Sequence, residues 1–311
     1  MPLANPIVAR LKEKKPGWAA PDHCGLLLVT NWPASEDCRT KYSEMRSALA
    51  AALPDCAYLY PPWSLHCTVA TLRAFTAGAL VGEDREAEKK RWLAVLDAAR
   101  AMPKWPKGSF RLRLGPPLLE GAAGIVKYEE IGGTAHIEAM RACMRAAIKE
   151  AGGVSAEGSA DRSSARALPG APKGEPAPHI PNIVHSTVLR WAAEPTEAEL
   201  AAAKAAFKAV AATWKPIEIV IDDGCMAVYE EVPFMHVPYN VEQVFWRSEK
   251  ASEPDEEDVP PSERSWISLI LEALMALALP FLMAMLVTAT NQNRKGMYFY
   301  LPGKPTKDGD V

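Results

Sequence analysis

The sequence predicts an α+β domain of two pseudo-symmetric lobes, with antiparallel sheets around a central cleft, and an apolar helix near the C-terminus. Three observations predict this. The tetrapeptide His-x-Thr-Val occurs twice, as His66-Cys67-Thr68-Val69 and as His185-Ser186-Thr187-Val188. Each copy sits in a strand-like run preceded by a helical run and followed by a helix and an alternating strand, so the chain reads as a duplicated unit. Residues 267–289 then hold 19 apolar residues in 23.

Residues 25–30, Gly-Leu-Leu-Leu-Val-Thr, are an apolar run of strand length. Residues 35–53 carry helical spacing in Cys38, Tyr42, Met45, Leu49 and Leu53, with Ser35 and Asp37 as cap candidates and Pro54 as the stop. Residues 58–72 carry the first tetrapeptide on a β-rich stretch. Residues 84–102 form a charged amphipathic helix whose apolar side holds Trp92, Leu93, Val95 and Leu96. Phe110-Arg111-Leu112-Arg113-Leu114 alternates as a half-buried strand does, and residues 124–129 supply a strand to pair with it. A helix over 134–151 ends at Gly152-Gly153.

Gly, Ser, Ala and Pro dominate residues 152–181 without apolar periodicity, which reads as a flexible insertion. The second tetrapeptide emerges from it on a strand over 183–191. A helix over 196–212, an alternating strand over 217–221 and a last strand over 241–246 complete the domain, 20–247. The two helix-to-strand joins are alike, Trp105-Pro106-Lys107-Gly108-Ser109-Phe110 beside Trp214-Lys215-Pro216-Ile217.

Composition narrows the chemistry. The net charge is −3, and residues 1–265 alone hold 31 lysines and arginines against 35 acids. No basic excess marks an extended nucleic-acid-binding surface, which points to a small substrate or an oligonucleotide end. The six cysteines, at 24, 38, 56, 67, 143 and 225, form no Cys-x-x-Cys pair and no metal spacing, so no metal and no cofactor is expected. Residues 1–18 hold no apolar signal-peptide core, which places the thiols in a reducing compartment.

On a strand alternate side chains share a face, so each His and its Thr point one way and the following Val the other. Two such strands side by side present two imidazoles and two hydroxyls to one cleft. His66 and His185 are the catalytic candidates, a general base and a general acid in either order. Thr68 and Thr187 are the phosphate-binding candidates. His23, His136, His179 and His236 read as ordinary structural histidines. Trp32, Trp63, Tyr128, Trp191 and Tyr229 are aromatic candidates for stacking on a base.

These residues resemble the 2H phosphoesterase superfamily, whose signature is two His-x-Thr/Ser-x tetrapeptides in a pseudo-symmetric bilobal fold. The resemblance covers about residues 20–250. It implies metal-independent hydrolysis of a 2′,3′-cyclic or 2′,5′-linked phosphodiester on a nucleotide or RNA end. It also implies a phosphate contact from Arg190, five residues after His185. The insertion of about thirty residues between the motifs departs from the family's pattern. Two other functions compete. A 3′-end-trimming RNA exonuclease of the same superfamily calls for a more basic groove, and a catalytically silent, membrane-tethered nucleotide-binding or scaffold module has no use for both imidazoles.

Residues 248–265 are acidic and Pro-rich and read as a disordered tether. The segment 266–290 reads as a transmembrane helix. As a helix, residues 267–289 would be about 35 Å long, against a hydrocarbon core of about 30 Å. Trp266 and Tyr298-Phe299-Tyr300 resemble interfacial anchors. Only a short tail, 291–311, comes after it, so the expected arrangement is a C-terminal membrane anchor with the domain facing the cytosol. Glu272 and Pro280 keep a buried core or oligomerisation helix as the alternative, and no residue pattern specifies an oligomeric state.

Overall fold

The computed structural model describes residues 2–13, 23–77, 82–133, 135–157, 165–171, 175–222, 224–230, 236 and 243–248. All lie in one compact unit, residues 1–251. The tether beyond Ser248, the apolar segment 266–290 and the tail lie outside the described residues. Among the described residues no helix is long and apolar enough to cross a membrane.

In chain order the elements are α1 (Pro6–Glu13), β1 (His23–Thr30), α2 (Glu36–Ala50), β2 (Ala57–Leu59), a 3-10 turn (Pro62–Ser64), β3 (Cys67–Ala77), α3 (Gly82–Ala101), β4 (Phe110–Glu120), β5 (Ala123–Ile131) and α4 (His136–Glu150). Then come β6 (Ala156–Glu157), β7 (His179–Ile180), β8 (His185–Trp191), α5 (Glu197–Ala212), β9 (Ile217–Ile221), β10 (Met226–Glu230) and β11 (Val244–Arg247). Local chemistry sets several boundaries. Ser35 Oγ accepts from Cys38 N at the start of α2. Thr196 and Glu199 form a reciprocal capping box on α5. Gly152, at φ +85°, turns the chain out of α4.

The strands form two sheets, ordered β11-β10-β1-β3-β7-β6 and β2-β8-β5-β4-β9. Every pairing is antiparallel except β6 with β7. Each sheet carries one motif strand, β3 in the first and β8 in the second. The expected pairing of the alternating strand over 110–114 with the next strand is present as β4–β5.

The duplication is not two self-contained lobes. β4 and β9, the strands that close the two repeated units, are neighbours in the second sheet, while β1 and β10, far apart in sequence, pair in the first. Nor are the motif strands hydrogen-bonded side by side, because they belong to different sheets. β10 and α1 are elements that the sequence pattern did not reveal. α1 packs on β8, and Asn5 N donates to Trp191 O at 2.9 Å.

One core cluster fills the space between the helices and both sheets, and it holds Val69 and Val188, the fully buried last residues of the two tetrapeptides. Both valines face away from their Thr, as strand alternation requires. Gly124 on β5 lies against this core so closely that a Cβ there would come within 2.6 Å of Phe207 and 2.8 Å of Leu189. Only glycine leaves room for α5 to seat on the sheet.

Candidate active site

His66 and His185 meet in one cavity of about 750 Å³, together with Thr68, Thr187 and Arg190. His66 stands one residue before β3, at the exit of the 3-10 turn, and His185 opens β8. The two histidine candidates and the three phosphate-contact candidates are therefore brought together.

Each imidazole is held in the same way. His66 Nδ1 lies 2.8 Å from the Ser64 carbonyl, and His185 Nδ1 lies 3.4 Å from the Ile183 carbonyl. A carbonyl can only accept, so Nδ1 carries the proton and donates in both rings. This fixes the tautomer and leaves Nε2 as the basic nitrogen for the cavity. In each motif the anchor is the carbonyl two residues upstream.

An irregularity in register repeats as well. Val29 pairs with Thr68 but Leu28 pairs with Ala70, so Val69 is an extra residue on β3. Ile125 pairs with Thr187 but Gly124 pairs with Leu189, so Val188 is an extra residue on β8. An extra residue reverses the inward parity of the residues after it. Thr71 and Arg190, each three residues past a motif Thr, thereby return to the cavity. A second shift, at Leu72, brings Ala74 to the same face.

The motif segments are tied together from behind by Arg141 of α4, which is only 1% exposed. Its Nη2 donates to Thr68 O and to Ile183 O, both at 2.9 Å, and its Nε donates to Val69 O at 3.3 Å. Ile183 O is also the carbonyl that anchors His185. A second tie runs through hydroxyls. Asn31 Nδ2 donates to Tyr128 Oη at 3.3 Å, Tyr128 lies 2.9 Å from Ser186 Oγ, and Ser186 Oγ donates to His66 O. Ser186 has one proton and spends it on His66 O, so the Tyr128 hydroxyl is the donor in the middle link.

Burial holds both imidazoles below the ordinary histidine range. His66 is pushed down to about 4, mainly by desolvation, with the bond to Ser64 O opposing and the nearby His185 adding to the fall. His185 is lowered for the same first reason; Ile183 O opposes, and the Arg141 and Arg190 cations add to the fall. Both rings are therefore neutral at pH 7 in the free protein. Cys67, inside the first tetrapeptide, is no nucleophile, because burial pushes its thiol up to about 12 and keeps it protonated. Arg190 lines the cavity, so its guanidinium is a cation within reach of an anion bound there.

Several lining residues went unseen in the sequence. None of the five aromatic candidates lines the cavity. Trp32, Tyr128, Trp191 and Tyr229 are buried, and Trp63 is on the surface; Tyr60 and Phe75 line it instead. His179, read as ordinary, also lines it, as do Thr71 and Asn5. His23, His136 and His236 do fit the structural reading, stacked on Phe75, stacked on Phe110 and set edge-on against Tyr60.

No protein-family model matches the chain, and no curated protein matches it. Solved structures do. The TT0787 protein of Thermus thermophilus is 17% identical over 66% of this chain and 87% of its own, with a TM-score of 0.39. LigT of E. coli, in its complex with NADP+, is 15% identical over 67% and 87%, with a TM-score of 0.35. A conserved protein of unknown function from Agrobacterium tumefaciens is 13% identical over 71% and 88%, with a TM-score of 0.36. With one His-x-Thr strand in each of two sheets and both facing one cavity, the chain resembles the 2H phosphoesterases in the arrangement its tetrapeptides imply.

Proposed function

We propose that the chain is a phosphodiesterase that hydrolyses a 2′,3′-cyclic or 2′,5′-linked phosphodiester of a nucleotide or RNA end by two-histidine acid–base catalysis. The observation that carries this is the pair of imidazoles, each anchored at Nδ1 with Nε2 left to a cavity shared with two threonine hydroxyls and Arg190. The ester's non-bridging oxygens accept from Thr68, Thr187 and Arg190. These contacts position the phosphorus and stabilise the charge that develops on it.

His66, held neutral down to about pH 4, suits the base. Its Nε2 takes a proton from water as the water oxygen bonds to phosphorus. The bond from phosphorus to the leaving ribose oxygen breaks, and Nε2–H of protonated His185 supplies that oxygen's proton. The product is a phosphomonoester, and both imidazoles return to their starting states by exchanging protons with solvent. No step requires a metal or a covalent intermediate.

The test is turnover of 2′,3′-cyclic nucleotides, 2′,5′-oligoadenylate and 3′-uridylated RNA in EDTA, with the product isomer identified. Wild type should hydrolyse one of the first two substrates. His66→Ala and His185→Ala should each fall by about 10²–10⁴, the size of a lost acid–base catalyst. Near-full activity in either variant would refute the assignment.

We further propose that residues 266–290 anchor the domain to a membrane, with the cavity on the cytosolic side; the length and apolar content of that segment support it. Full-length protein should resist carbonate extraction, and protein ending at Ser265 should not.

A further inference from the structure

Residues 152–181 break the pattern of the two repeated units and contain no apolar periodicity, yet their described part builds one wall of the catalytic cavity. Ala156, Ala165, Pro176, Ala177, His179 and Pro181 all line it. The wall is fixed at two points. His179 pairs with Thr71 on β3, extending the first sheet through β7 and β6. Four residues upstream, Glu175 forms an almost fully buried ion pair with Arg73 of β3.

The cavity lining is thereby divided. The ends of β3 and β8 supply the imidazoles, the threonines and Arg190. The insertion and the far part of β3, Ala74 and Phe75, supply small apolar groups and two rings. Thr71, the partner of His179, is three residues past Thr68, or roughly 10 Å along the strand. A group joined to the phosphate through its ribose would lie over that stretch. His179 lines the cavity there and suits a nucleobase, because an imidazole offers a face on which a base can stack.

We propose that the 175–181 segment is the wall that recognises the nucleobase of the substrate, with His179 as its specificity-determining residue. The proposal rests on the nucleotide phosphodiester assigned to this cavity, and it is separable from hydrolysis because it concerns binding.

The experiment is calorimetric titration of the full chain with adenosine 2′-monophosphate and, as a base-free control, ribose 5-phosphate. It compares wild type, His179→Ala and His179→Phe. His179→Ala should weaken the nucleotide by about tenfold, the scale of one lost base contact, and leave the sugar phosphate within about twofold. His179→Phe, which keeps a stacking face, should restore most of the loss. An unchanged nucleotide Kd in His179→Ala would overturn the proposal. So would equal weakening of both probes, or wild type binding the nucleotide no better than the sugar phosphate. Cyclic-nucleotide turnover, measured alongside, separates the two failures. Turnover with no effect of His179 sinks only the wall, whereas selective binding loss without turnover sinks only the hydrolase.

Discussion

Arg141 offers the sharpest stability test. Replacing it with Met removes the donor from three carbonyls, Thr68 O, Val69 O and Ile183 O. A buried acceptor left without its donor costs about 1–3 kcal/mol; Ile183 O keeps the His185 donor, so Thr68 O and Val69 O set a gross loss of roughly 2–6 kcal/mol. Removing a buried cation returns part of this, because burial disfavours the charge and already lowers the Arg141 pKa. The net expectation is about 1–4 kcal/mol, a sizeable share of the roughly 5–15 kcal/mol that holds a typical domain. Equilibrium urea unfolding would measure it. Arg141→Lys keeps the charge but not the planar fork, and should recover only part of the loss. The same carbonyl, Ile183 O, anchors His185, so kcat should fall in folded Arg141→Met, and the alkaline limb of the pH–rate profile should rise as a nearby cation is lost. A stability loss below about 1 kcal/mol, or an unmoved alkaline limb, would refute the reasoning.

Two further outcomes are expected from the packing. Burial and the neighbouring Glu175 raise the Glu88 carboxyl from 4.5 to about 7, against the pull of Arg73. The folded state then holds a proton that the unfolded state has released, so stability should fall as pH rises from about 4.5 to about 7, and Glu88→Gln should flatten that slope in urea titrations across the range. Gly124→Ala would drive a methyl into Phe207 and Leu189 and should cost about 1–3 kcal/mol by thermal unfolding, whereas a neutral result would mean that α5 can shift freely.

That His66, Thr68, His185 and Thr187 share a cavity was legible because strand alternation, applied to a repeated tetrapeptide, puts His and Thr on one face and Val in the core. The same alternation hid Thr71, since the extra residue at Val69 reverses parity and nothing in Thr-Val-Ala-Thr announces it. The repeat also suggested one unit per lobe, but a repeat in sequence does not say which sheet a closing strand will join, and β4 and β9 share one. Arg141 was not singled out in the sequence, because its three partners are backbone carbonyls that carry no sequence signal. The wall built from residues 152–181 was hidden for a related reason. It is held by one strand pairing and by Arg73–Glu175, an ion pair across 102 residues, rather than by apolar spacing.

The central claim, that His66 and His185 act as one acid–base pair, is tested most directly by the pH dependence of kcat/KM on a 2′,3′-cyclic nucleotide. The active free enzyme needs His66 neutral and His185 protonated. Activity should be lost below about pH 4 as His66 gains a proton, and lost again on the alkaline side as His185 releases its own, at a pKa below 6.5. The profile is therefore a bell with its maximum on the acid side of 6.5. In the residual activity of His66→Ala the acid limb should vanish, and in that of His185→Ala the alkaline limb should vanish. A wild-type optimum above pH 7, or a single variant that keeps both limbs, would contradict it.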